Sequence, residues 1–218
     1  MYLSEEQDTQ ISVLGRDLEI HTGVEFMAAV VGKCDTYPEI PWKAFALGVA
    51  LSALAAVFYH IMQPTWLTAW TPLLTLAWVL GAGALSALLT PFWPALARLF
   101  LDAERAESES RQYAQGLFLE QALFSTREHT AILLLIGLFE RRVVLLPDSG
   151  VHNRMNAGQL EAVINQMVPH LRRDDHFQAL VQGIASIEKI LLEAGFTGSA
   201  DAPDQIPDEI IQQKGAVS

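Results

Sequence analysis

The chain has 218 residues and a net charge of −11; 51% of its residues are hydrophobic, 18% are charged, and the mean hydropathy is +0.25. That composition is too apolar for disorder, and the acidic balance excludes nucleic acid, whose phosphates need a basic face. One cysteine, Cys34, excludes an intramolecular disulfide and fits a reducing compartment.

In chain order, Ser4 with Gln7 forms a capping-box pattern, and Ile11, Leu14 and Leu18 recur at helical spacing up to Gly23. Val24 to Val31 then reads as a short strand and Asp35 to Pro38 as a turn. A helix and a strand cannot make a core alone, so their partners must lie further along the chain.

The charges are unevenly placed. Residues 1–43 carry eight Asp/Glu and three Lys/Arg, residues 94–218 carry seventeen and eleven, and residues 44–93 carry none. Within the uncharged block, Ala44 to Met62 is 19 residues, about 28 Å as a helix and so close to the thickness of a bilayer core. Gln63, Pro64 and Thr65 interrupt it, and a second run of 21 residues extends from Trp70 to Thr90. Trp42 and Trp93 fall at one expected interface, Tyr59, Trp66 and Trp70 at the other. The block is expected to be a transmembrane hairpin in contact with the lipid bilayer. Lys33 and Lys43 before it, and Arg98, Arg105 and Arg111 after it, place both termini and the folded domain on the cytoplasmic side of the inner membrane. Small residues recur at four-residue spacing: Ala44, Gly48, Ser52 and Ala56 on the first span, Ala82, Ser86 and Thr90 on the second. They allow close backbone approach, either within the hairpin or in self-association. His60 is the only ionisable residue of the spans, which speaks against a transporter or channel.

After the hairpin, Asp102 is the expected N-cap of a helix reaching about Phe124. Glu107 and Arg111 should pair at i,i+4, with Tyr113, Leu117 and Phe124 as the apolar stripe. Ala131 to Ile136 is a continuous apolar run that suits a doubly buried strand. Glu140 and Arg141 read as a tight turn, Arg142 to Leu146 as a second strand, and Pro147 to Gly150 as a turn. Two helices follow, about Ala157–Val168 and Asp175–Ala194, separated by Pro169 and the cluster Arg172 to Asp175, with Gly195 as a stop. From Thr197 onward the Gly, Pro and acidic residues predict a tail with at most one short ordered segment, Ile206 to Ile211. The expected organisation is thus residues 1–43, the first helix and strand; 44–93, the hairpin; 94–196, the rest of the domain; and 197–218, the tail. The fold class expected is an α/β/α sandwich with a small central sheet and an inserted two-helix transmembrane hairpin.

The stretch from Thr126 to Gly150 resembles the TPM-domain family: an Arg-x-x-Thr pattern, an apolar strand, a Glu-Arg-Arg-like turn, a second strand, then Asp and Gly. The resemblance continues through Val168 to Asp175 into the helix with Gly183 and Ile184, and ends at Pro203 to Glu209. It implies an α/β/α sandwich, often tethered to membranes. Some plant lumenal relatives are linked to acid phosphatase activity, divalent metal binding and photosystem repair. This sequence departs from that branch at Leu3 to Gln10, where the family's acidic, glycine-containing opening is replaced.

Candidate chemistry is sparse. Asp148, at the end of the second strand, could share a divalent metal such as calcium or magnesium with His152 or Asn153, or simply cap a helix. Arg127, with Glu128 and His129, could bind an anion or orient a substrate, or pair with neighbouring carboxylates. Arg172, Arg173, Asp174 and Asp175 read as a self-paired, solvated link. Cys34 has no His or second Cys at a useful spacing for a nucleophile or a zinc site. No phosphate loop, metalloprotease motif or serine elbow is present. The leading functional expectation is a membrane-anchored cytoplasmic module that binds protein partners in assembly or maintenance of an envelope complex. A metal-dependent phosphatase-like hydrolase built on Asp148 and a structural hairpin oligomer are the alternatives.

Overall fold

The computed structural model describes residues 2–62, 70–126, 128–198 and 210–216. The chain divides into two compact units, one formed by residues 1–35 with 106–217 and the other by residues 36–105. The described residues form a mixed α/β fold with eight α-helices and a four-stranded sheet.

In the first unit, α1 (Glu5–Thr22) opens on the reciprocal Ser4–Gln7 box and ends at Gly23, whose φ of 69° is the left-handed cap that glycine adopts without strain. β1 (Glu25–Val31) follows, buried at every residue. Beyond the second unit, α5 (Ala103–Glu120) leads to a 3₁₀ turn (Leu123–Ser125), β2 (Ala131–Gly137), β3 (Arg142–Pro147), α6 (Ser149–His152), α7 (Ala157–Leu171), α8 (His176–Glu193) and β4 (Ile211–Gln213). The sheet order is β3-β2-β1-β4. β1 pairs in parallel with β2, Glu25 opposite Ala131, and with β4, Ala29 opposite Ile211; β3 runs antiparallel to β2, Leu134 opposite Leu145.

Alternation along the strands builds two cores. Phe26, Ala28 and Val30 of β1, with Ile132, Leu134 and Ile136 of β2, pack under α1, α7 and α8 through Leu18, Val163, Met167, Leu180 and Ile187. Met27, Ala29, Val31, Leu133 and Leu135 face the other way, against Ala114, Leu117 and Phe118 of α5 and Leu123 of the 3₁₀ turn. Strands covered on both faces explain the continuous apolar runs of β1 and β2.

Five expectations need correction. A fourth strand, β4, lies at the sheet edge beside β1, where the sequence suggested a tail; residues 206–209 of the expected segment lie outside the described residues. The Gln212 side chain fastens β4 to the N-terminus, accepting from the Tyr2 and Leu3 amides at 2.9 and 3.2 Å and donating to Asp8 at 2.8 Å. α5 stops at Glu120 rather than near Phe124, because Ala122 turns left-handed (φ 52°) and so buries Leu123, leaving Phe124 46% exposed. α7 runs through Pro169 to Leu171, since a proline in the last turn forfeits only one late hydrogen bond. Glu107 and Arg111 form no ion pair, and neither do Arg172 and Arg173 with Asp174 and Asp175; Asp175 instead caps α8, accepting from the Gln178 amide at 3.0 Å.

The second unit holds α2 (Glu39–Met62), α3 (Thr71–Leu89) and the short α4 (Pro94–Arg98). α2 begins ahead of Ala44 with Pro41 in its first turn, where a missing N–H is tolerated, and Glu39 pairs with Arg105 at 3.2 Å. α2 and α3 pack closely. Gly48 faces the Ser86 side chain and the Ala82 carbonyl, and Gly83 faces Val49 and Phe45, so a Cβ at either glycine would collide. Ser52 and Ser86 turn their hydroxyls onto the Gly48 and Ala82 carbonyls at 2.7 and 2.9 Å. Both helices are long and apolar enough, by length and composition, to cross a membrane.

Candidate functional site

Three places in the described structure gather polar side chains. The first is the end of β3. Asp148 caps α6, its Oδ1 accepting from the Ser149 amide at 2.6 Å, while Oδ2 lies 3.5 Å from His129 Nδ1. Oδ2 is buried without a hydrogen bond. Gly150 completes the corner: its N–H donates to the His129 carbonyl at 2.9 Å, and a Cβ there would strike the Glu128 and His129 carbonyls. His129 holds a left-handed φ of 55°. His152, the other residue expected with Asp148, lines a separate cleft to which Asp148 does not contribute. Arg127 lies outside the described residues. Among the described residues no three His, Cys, Asp or Glu side chains gather closely enough to hold a metal ion. Asp148 is thus the cap of α6, with its second carboxylate oxygen lying against the His129 ring.

The second place is beyond the parallel ends of β1 and β2. Glu140 accepts from the Cys34 amide through Oε1 at 2.8 Å. Glu140 Oε2, the Cys34 thiol and the Ser110 hydroxyl surround Gly137, and a Cβ there would sit 2.9, 3.1 and 3.6 Å from them. Burial pushes the Cys34 thiol up to about 12, the nearby Glu140 carboxylate adds to the rise, and the Ser110 hydroxyl offsets part of it. A thiol held neutral in this way is a poor nucleophile and a poor metal ligand. This cluster locks the β1 and β2 ends together.

The third place is an open cleft of about 950 Å³ along β3, the edge strand of the sheet. α7 forms one wall with Leu160, Ile164 and Val168, and α5 contributes Glu107 and Arg111. Arg141 enters from the β2–β3 hairpin, held there by a left-handed φ of 53°, and Arg172 from the C-cap of α7. In their local sequence, Arg141 belongs to a turn, Arg111 to a helix pair and Arg172 to a linker. They are distant in sequence and come to line one cleft only when α5, α7 and the β2–β3 hairpin fold together.

The class defined by these features is a mixed α/β domain with a discontinuous chain, interrupted by two apolar helices. Within it, residues 99–190 match the family model described as the TPM domain. No curated protein matches the chain. Among solved structures, the NMR structure of BA42 protein from the psychrophilic bacterium Bizionia argentinensis is similar in fold. Its TM-score is 0.58 at 13% identity, over 97% of this chain and 96% of that one.

Proposed function

We propose that the protein is a membrane-anchored interaction module: a TPM-like domain of α/β/α layers, tethered by the α2–α3 hairpin and holding a protein partner at the cytoplasmic face. The observation that carries the reading is the apolar surface of the hairpin. Leu51, Leu54 and Phe58 on α2, with Leu74, Trp78 and Leu88 on α3, are all more than half exposed. At roughly 25 cal/mol per Å² of apolar area, side chains of this size are each stabilised by about 1.5–3 kcal/mol when removed from water, which a bilayer supplies. The interaction half rests on an acidic domain in which Asp148 serves as a cap, and Cys34 with Glu140 as a lock, rather than as a reaction centre. Lys33, Lys43, Arg98 and Arg105 flanking the hairpin favour cytoplasmic termini.

The test is membrane fractionation followed by purification in mild detergent. The full chain should stay with the pellet through an alkaline carbonate wash, and reporters fused at either terminus should be active only in their cytoplasmic form. A partner should co-purify in stoichiometric yield. Release by carbonate would remove the anchor, and repeated purification of the protein alone would remove the interaction role.

A further inference from the structure

Antiparallel strands alternate between residues bonded to the neighbour and residues whose backbone groups face away. The Asp148 amide donates to the Ala131 carbonyl at 2.8 Å, continuing the register in which Leu146 faces Leu133 and Val144 faces Leu135. Val144 and Leu146 therefore bond inward to β2. Val143, Leu145 and Pro147 turn their backbone groups outward, onto the cleft that β3 lines. That edge offers the N–H and C=O of Val143 and Leu145 and the carbonyl of Pro147 to the open cleft beside it. Long open edges invite strand pairing unless covered or charged.

The cleft lining is also richer in cations than the chain around it. It holds four arginines against three carboxylates, in a chain whose net charge is −11. Arg111, Arg141 and Arg172 form no ion pair with any described residue. Opposite them, Leu160, Ile164 and Val168 present an apolar wall. We infer that this cleft takes an extended, acidic segment of a partner protein, which adds to the free edge of β3 as a fifth strand. Its backbone pairs with Val143 and Leu145, alternate apolar side chains lie on the α7 wall, and its carboxylates meet Arg111, Arg141 and Arg172. Main-chain pairing supplies affinity in this mode, and the pockets and charges supply selection. The inference rests on the interaction-module reading and names the surface that such a module uses.

The test uses the full chain in detergent micelles and fluorescein-labelled nonapeptides that alternate valine and threonine. One set is flanked by aspartates, one by lysines, and one carries N-methylated backbone on alternate residues. The aspartate set should bind at least tenfold more tightly than the lysine set and weaken as salt rises, and N-methylation should abolish binding. Val143→Pro removes an outward N–H without touching the β2 ladder, and should abolish binding too. Should that variant fail to fold, Arg141→Glu with Arg172→Glu on the exposed rim should reverse the preference between the sets. Equal affinity for both flanks, indifference to the arginine reversal, or binding of decanoate in place of every peptide overturns the proposal. In cells, a photo-crosslinking residue at Glu161, in the cleft, is compared with one at Val13, on the exposed face of α1. A partner captured at Glu161 and displaced by the aspartate peptide supports the cleft. Capture from Val13 alone overturns the cleft and leaves the module standing, whereas no capture from either site with no co-purifying partner overturns both.

Discussion

Cys34 sits where three chain segments meet, and its thiol is walled in by Ser110 of α5 and by Glu140 of the hairpin. With its titration pushed up to about 12, the folded thiol should carry about a thousandth of the thiolate present in the unfolded chain at pH 8. Iodoacetamide labelling followed by mass spectrometry should therefore be slower by about that factor in buffer than in urea. Equal rates would mean the thiol is not shielded. Glu140→Gln keeps an acceptor for the Cys34 amide and removes the carboxylate charge, so it should speed labelling without unfolding the domain. The sign of the pH dependence follows. The unfolded thiol loses its proton near its ordinary value of 9.0 and the folded one near 12, so stability is undiminished below pH 9 and falls as pH rises between those values. A neighbouring substitution tests the same lock sterically: Gly137→Ala places a methyl 2.9 Å from the anchored Glu140 carboxylate and should cost about 1–3 kcal/mol, read as a lower urea midpoint.

At the scale of elements, two helical glycines in tight places should behave differently because of what they face. Gly150 of α6 meets backbone carbonyls, which cannot move aside, so Gly150→Ala should cost about 1–3 kcal/mol. Gly183 of α8 meets the thioether of Met167, a flexible group, and alanine also gains about 1 kcal/mol in helix propensity. Gly183→Ala should stay within about 1 kcal/mol of the parent. Matching shifts in urea midpoint for the two would refute this reading of the contacts. These elements also mark what the sequence made legible. α1 was readable because its start and stop are local: Ser4, Gln7 and Gly23 act within one turn of themselves. β1 and β2 were readable because burial on both faces leaves no polar residue to interrupt them. β4 was not, because its three residues depend on β1 beside them and on the Gln212 contacts to Tyr2, Leu3 and Asp8 at the other end of the chain. The cleft was illegible for the same reason. Arg111, Arg141 and Arg172 each have an ordinary local reading, and only the fold sets them along one cleft.

At the scale of the whole molecule, the charge asymmetry and the division into units describe the same partition. The uncharged block, residues 44–93, falls wholly inside the unit of residues 36–105, and the other unit keeps its own two cores. Every strand and both helical layers of that unit lie outside the insertion, so it should fold without the hairpin. Cys34 and Ser110 both approach Gly137, and Asp102 stands eight residues ahead of Ser110, about 12 Å along a helix. Keeping Asp102 preserves the cap on α5, where it accepts from the Glu104 amide at 2.9 Å. Residues 36–101 can then be replaced by a flexible linker of about ten glycines and serines, with a mean span of about 16–19 Å. The shortened chain is expected to remain in the supernatant after ultracentrifugation and to unfold in urea in one cooperative transition, whereas the full chain sediments with membranes. A shortened chain that aggregates, or loses its fixed tertiary signal while keeping helix, would show that the hairpin completes the core rather than interrupting it. Cooperative folding would instead assign the hairpin to anchoring, because a segment that can be removed without loss of the fold has its role in where the domain is held.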